Sequence, residues 1–199
     1  RLSLVILNEK IYFNNSLGDI SAIDINNGNL LWQTPTQSSL AFDTGFFLKT
    51  SDVVADKDAL FFSNNQNQFF SLDIQTGNLN WKQEINSNLR PVIINDFIFT
   101  ISLEGYLIIL EKNTGNIIRS NYLLNKFKAK NRLKIRPAGF IVGNKNIYLS
   151  TNIGRFLVID IATGKARTIL KIDNKKISRP AIFNKNLYLI TDNSIIKLN

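Results

Sequence analysis

The chain has 199 residues, 44% of them hydrophobic, a net charge of +9, and no cysteine, histidine or methionine. Those absences exclude disulfides, thiol catalysis, zinc–thiolate centres and the imidazole that most often serves as general base or neutral-pH switch. No apolar run approaches the roughly eighteen residues that a spanning helix needs, no signal-peptide pattern opens the sequence, and a start at Arg1 is expected of a mature or trimmed fragment.

In chain order, the first unit covers residues 1–37 and reads as the strands LVIL, KIYFNN, ISAIDI and NLLWQT. The second, 38–87, opens with an insertion from Ser38 to Lys57 and continues as ALFFSN, FFSLDI and NLNWKQEI. The third, 88–125, is the most regular: Arg90-Pro91 leads into VIIN, Asp96 marks a turn, FIFTIS follows, Glu104-Gly105 turns again, and YLIILEK, NTG and IIRSNYL complete it. The fourth, 126–177, begins at Arg136-Pro137 with GFIVG, then NIYLST, RFLVIDI and KARTILKI. A partial fifth, 178–199, starts at Arg179-Pro180 with AIFN, NLYLIT and SIIKLN; Lys197 is expected where the earlier units carry an acid, so this unit lacks its outer strand. Period-two alternation punctuated by Gly, Asn and Asp is what half-buried antiparallel strands require.

The repeat is sharpest at four turns. Asp24 and Gly28, Asp73 and Gly77, Glu111 and Gly115, and Asp160 and Gly164 each pair an acid with a glycine four residues on, and the glycines are 49, 38 and 49 residues apart. Glycine is expected there because one residue of the turn must take positive φ. A period of this size marks an array of four-stranded blades. The fold class read from the sequence is therefore all-β: one β-propeller region over 1–199, with about four and a half blades. An open arc of blades leaves sheet edges and apolar faces to be covered, so a missing N-terminal part is expected.

Several residues invite a chemical reading. Trp32 and Trp81 lie four residues after a turn glycine, where the third and fourth units have Arg119 and Thr168. They read as an aromatic binding platform or as docking residues at the seam between blades, and recurrence with the repeat favours docking. Asp24, Asp73 and Asp160 start loops that resemble calcium-binding ones, but the later acids of such a loop are missing. Caps on their own turns are the simpler reading. Arg90, Arg136 and Arg179 precede prolines; they either bind an anion or partner, or only fix an extended lead into the strand. Asp52, Asp56 and Asp58 are spaced as turn residues rather than as a paired-carboxylate site. No catalytic, cofactor-binding or metal-ligating set is legible, and the residues describe a binding scaffold.

Charge is uneven. Residues 1–119 carry 8 Lys/Arg against 12 Asp/Glu, whereas 120–199 carry 16 against 3. Much of the excess lies in KFKAKNRLKIR (Lys126 to Arg136) and KIDNKKISR (Lys171 to Arg179). A basic surface of this kind suits acidic protein, nucleic acid or lipid headgroups. No nucleic-acid-binding motif accompanies it, and a solvated surface is the plainer reading.

The GxxxALDxxTGxxxW shape of the units resembles the PQQ-type β-propeller repeat along nearly the whole chain. The ending RPAIFNKNLYLITDNSIIKLN and the stretch LRPVIINDFIFTISLEGYLIILEKNTGNII further resemble the BamB family, propeller lipoproteins of the bacterial β-barrel assembly machinery. That resemblance implies an eight-bladed ring without cofactor, held by an N-terminal lipid on the periplasmic side of the outer membrane. It also implies a scaffolding role, with the POTRA domains of the barrel-inserting subunit and unfolded outer-membrane proteins as partners. Other holders of the repeat imply other functions: a ligand-binding sensor or adhesion domain, or a PQQ-dependent dehydrogenase, whose adjacent-cysteine disulfide this cysteine-free chain does not carry.

Overall fold

The computed structural model describes residues 3–15, 19–36, 50–64 and 66–198. Five antiparallel sheets follow one another, each a simple meander in which sequence neighbours pair. The first comprises β1 (Leu4–Leu7), β2 (Lys10–Asn14), β3 (Ile20–Asp24) and β4 (Leu30–Thr34). The second comprises β5 (Val54–Ala55), β6 (Ala59–Ser63), β7 (Gln68–Asp73) and β8 (Leu79–Glu84), and the third β9 (Val92–Ile94), β10 (Phe97–Ile101), β11 (Tyr106–Glu111) and β12 (Ile117–Tyr122). A helical turn, α1 (Ala129–Arg132), precedes the fourth: β13 (Pro137–Val142), β14 (Asn146–Thr151), β15 (Arg155–Asp160) and β16 (Ala166–Lys171). The fifth has three strands, β17 (Ala181–Phe183), β18 (Asn186–Ile190) and β19 (Ile195–Leu198).

Two expectations from the sequence need correction. β5 lies inside the segment read as an insertion, because a two-residue strand is too short to show alternation; residues 38–49 of that segment are outside the described residues. Lys197 pairs with Tyr188, which is the register of Ala22 opposite Tyr12, Ser71 opposite Phe61 and Val158 opposite Tyr148. It therefore stands two residues short of the place the acids occupy. The fifth unit contains no turn glycine from which to count, and the count slipped by one full pleat.

By their internal packing the residues form two compact units, Arg1–Ile98 with Leu110–Ile117 and Phe99–Ile109 with Ile118–Asn199. In the first, Tyr12, Ile20 and Ala22 from the first sheet meet Leu60, Phe62, Phe70 and Leu72 from the second, with Val5, Leu7 and Trp32 packed against them. In the second, Phe156, Ile177, Leu187 and Leu189 form the centre, flanked by Tyr148, Val158, Ile196 and Leu198. Alternation is what allows each sheet to offer one face to such a core. Removing this apolar surface from water is the main favourable term in holding sheet on sheet.

Candidate functional site

The four acid-to-glycine turns are near-identical objects. Each acid donates its backbone N–H to the residue after the glycine and accepts the glycine N–H on its own carbonyl, at 2.8–3.0 Å throughout. The glycines have φ of 72°, 74°, 73° and 67°. The acid's side chain turns back on the loop: Asp24 Oδ1 accepts from the amides of Asn26 and Asn27. Asp73 Oδ1 accepts from the amides of Gln75 and Thr76 and from the Thr76 hydroxyl. Asp160 Oδ1 accepts from the amide and hydroxyl of Thr163, and Glu111 accepts the Thr114 hydroxyl. Donation from Thr76 holds the Asp73 carboxyl below its usual range, and donation from Thr163 does the same to Asp160, which also pairs with Arg167. Carboxylates committed in this way serve the turn. Among the described residues no group of three or more His, Cys, Asp or Glu is placed to hold a metal ion.

Three of the turns also receive side chains from the preceding sheet. Trp32 Nε1 donates to the Ile74 carbonyl at 3.3 Å, and Thr34 Oγ1 to the Gly77 carbonyl at 2.7 Å. Trp81 Nε1 donates to the Lys112 carbonyl at 3.0 Å, and Gln83 Nε2 to the Gly115 carbonyl at 2.9 Å. Arg119 Nη1 donates to the carbonyls of Ile161 and Ala162 at 3.0 and 2.7 Å, while Asn121 lies against Gly164. The residue four after a glycine always reaches the carbonyl just past the next acid, and the residue six after it meets the next glycine, on its carbonyl at Gly77 and Gly115 and against the glycine itself at Gly164. A Cβ on Gly77 would fall 2.5 Å from Trp32 Cε3, and one on Gly115 would fall 2.6 Å from Trp81 Cε3. Glycine is thus needed twice over, for its φ and for the ring lying on it. Sequence reading found the first reason and missed the second; the fixed spacing from tryptophan to the following glycine was the available signal.

The turn at Gly28 has the same backbone and no such cover. Among the described residues, nothing lies within 4 Å of the place its Cβ would take. Ile25, one residue past the acid, is 43% exposed, where the equivalent Ile74 is 1% exposed.

The remaining candidates are placed as follows. Arg136 Nη1 donates to the Leu103 carbonyl, in the turn between β10 and β11, at 3.4 Å, and Arg179 Nε donates to the Phe140 carbonyl of β13 at 3.1 Å. Gly139 lets the Arg179 backbone approach; a Cβ there would stand 2.6 Å from Arg179 Cα. Arg90 and Thr168 are exposed. Asp56 makes an ion pair of 2.6 Å with Lys112, which lowers the Asp56 carboxyl and raises the Lys112 amine. These two, with Asp58, Phe61, Ser71 and Asp73, line a cavity of about 260 Å³. The structure does not bring Asp52 into that lining.

Successive four-stranded meanders, each tied to the next through a glycine turn and a docking side chain, define a β-propeller built of PQQ-like repeats. A family profile described as outer membrane protein assembly factor BamB matches residues 1–121, and the chain belongs to that family. Solved structures share the fold. BamB from Moraxella catarrhalis aligns with a TM-score of 0.60 and 14% identity, over 98% of this chain and 70% of its own. The β-propeller domain of Cps50 (Swd1) from Myceliophteria thermophila aligns at 0.74 and 11% identity, over 98% of this chain and 63% of its own. Quinohemoprotein alcohol dehydrogenase from Comamonas testosteroni aligns at 0.67 and 13% identity, over 94% of this chain and 39% of its own. At these identities the likeness is one of fold. No curated protein matches the sequence.

Proposed function

We propose that the chain is part of a non-catalytic scaffold of the β-barrel assembly machinery, one that binds the POTRA domains of the barrel-inserting subunit and aids the folding and insertion of outer-membrane proteins. The observation that carries this reading is the family match over 1–121, whose description names outer-membrane protein assembly. The site geometry supports it, since the polar side chains of the turns are spent on holding sheets together. A periplasmic place beside the outer membrane, with an N-terminal lipid as the tether, belongs to the same proposal. So does Arg90, which is exposed at the lead into β9, as a partner contact. Rigid sheets joined by fixed seams would present loops and free strand edges to a partner, and strand addition is one way such edges bind.

The test is a cross-linked pull-down of the full-length protein from detergent-solubilised envelopes. Recovery of the barrel-inserting subunit through its POTRA domains is expected. Recovery of a signalling partner, or of nothing from the outer membrane, would remove the function and leave the fold. Dehydrogenases among the fold relatives supply the rival reading. Adding PQQ with calcium is expected to leave the melting temperature unchanged, because a bound ligand raises it by mass action; a clear rise would favour the enzyme.

A further inference from the structure

The connection between β12 and β13 carries a feature that the seams and turns do not use. Over residues 126–136 it reads KFKAKNRLKIR, with six cations and no acid. Its inward-facing groups fasten it. Ile135 is buried and Phe127 half-buried. Arg132 donates through Nε to the Phe127 carbonyl at 2.8 Å and through Nη2 to the Asn125 carbonyl at 2.7 Å. Its Cζ also lies 5.9 Å from the ring centre of Tyr122, which in turn packs on Tyr106. The only segment arginine with several acceptors is therefore consumed internally.

What this fastening presents is different. No residue of α1 is buried, Lys128, Lys130 and Lys134 are exposed, and between them Leu133 stands 83% exposed, more than any other large hydrophobic side chain among the described residues. Lys126 is exposed too, with its ammonium on the Arg167 carbonyl. A leucine held in water between exposed lysines, on a turn braced by Arg132, gives this surface an apolar side chain beside its positive charge.

We propose that this turn is a contact site for an anionic lipid bilayer surface. Two features separate a bilayer from an acidic protein segment as the partner. The presented cations are mostly lysines, which act as point charges towards a diffuse negative surface; of the two fork-shaped arginines, Arg132 faces inward and the exposed Arg136 has its Nη1 on the Leu103 carbonyl. The apolar apex has a use in lipid, where a side chain beside basic residues enters the headgroup boundary. The proposal stands on these residues and does not depend on the assembly reading above.

The experiment is co-sedimentation of the full chain with vesicles of phosphatidylcholine, alone or mixed with phosphatidylglycerol, at low and high salt. Binding to the mixed vesicles only, weakened by salt, is expected. The variant K128Q/K130Q/K134Q is expected to partition about 100-fold more weakly, each lysine supplying roughly a five-fold factor. Leu133→Ser should weaken partition about ten-fold and keep the salt dependence. A second triple variant, K165Q/K171Q/K176Q, removes equal charge from exposed positions elsewhere and should change binding little. Circular dichroism on each variant confirms folding. Equal loss in both triple variants would assign binding to diffuse net charge and overturn the site, as would equal binding to neutral vesicles. If vesicles fail to bind while polyglutamate retains the chain through the 128–134 lysines, the surface is one for acidic protein and the lipid proposal falls.

Discussion

Trp81 and Arg119 hold the same place in successive repeats, four residues past a turn glycine, and meet the next turn with opposite chemistry. Trp81 lays an indole on Gly115, gives one hydrogen bond to the Lys112 carbonyl, and stands 6.0 and 6.1 Å from the rings of Phe61 and Phe69. Arg119 replaces the indole with a guanidinium that spans two carbonyls, Ile161 and Ala162. The companion positions differ as well: Gln83 donates to the Gly115 carbonyl, whereas Asn121 is shorter and its buried Oδ1 has no hydrogen-bond partner among the described residues. One seam is held mainly by burial and the other by charge-assisted hydrogen bonds. Backbone geometry, common to both, fixes where the key must land and leaves its chemistry free.

The comparison breaks most easily at the tryptophans. Trp81→Ala and Trp32→Ala are each expected to cost about 3–5 kcal/mol, as loss of a large packed aromatic does. Urea denaturation would measure this. A variant that stays stable and loses only partner binding would make the ring a binding platform instead.

Next come the glycines. Gly115→Ala and Gly77→Ala force both a left-handed alanine and a methyl into an indole, at about 2–4 kcal/mol. Gly28→Ala carries the same φ into open space and should cost only about 1 kcal/mol. The difference between these variants isolates the docking contribution from the turn; equal costs would show that the ring on the glycine contributes nothing.

Arg119→Ala should be milder, about 1–2 kcal/mol for its charged hydrogen bonds, and raised salt should narrow the gap between variant and parent. A loss as large as that of Trp81→Ala would mean the guanidinium stem, not its charge, supports the seam.

The smallest effect concerns pH. Asp73 has a folded-state pKa below its ordinary 3.8, through donation from Thr76. A lowered folded pKa gives stability that is present above the unfolded value and lost as pH falls through the folded one. The parent should therefore lose melting temperature on acidification below that value more steeply than Asp73→Asn. Parallel curves would show that the cap contributes no pH-linked stability.

Much of the fold was legible because it repeats. The strands of the third unit, from VIIN to IIRSNYL, are regular enough to be read by alternation alone, and the structure places β9 to β12 within them. What escaped lacked either length or an anchor. β5 has two residues, and Lys197 was counted towards a glycine the fifth unit does not contain. The second duty of the turn glycines escaped for another reason. A glycine that must be bare to admit Trp81 and a glycine that must take positive φ are the same letter, and only distance between side chains tells them apart. The purpose of Arg132 was hidden likewise, since nothing in KFKAKNRLKIR marks one of its six cations as the internal clamp.

The rule that the residue four past one glycine meets the next turn has a bearing on how such a chain grows. Each fastening is written half in one repeat and half in its neighbour, yet each of the first three repeats contains both a turn glycine and a key. A duplicated repeat inserted between two others would find a fitting glycine ahead and a fitting key behind without any compensating change. Deletion of a whole period would bring Trp32 onto Gly115, whose carbonyls and φ match those of Gly77. A change confined to one half, such as a bulky residue at a turn glycine, would damage a junction rather than a sheet. Length is thus the easiest property of this architecture for evolution to alter, and the spacing within a period is the hardest.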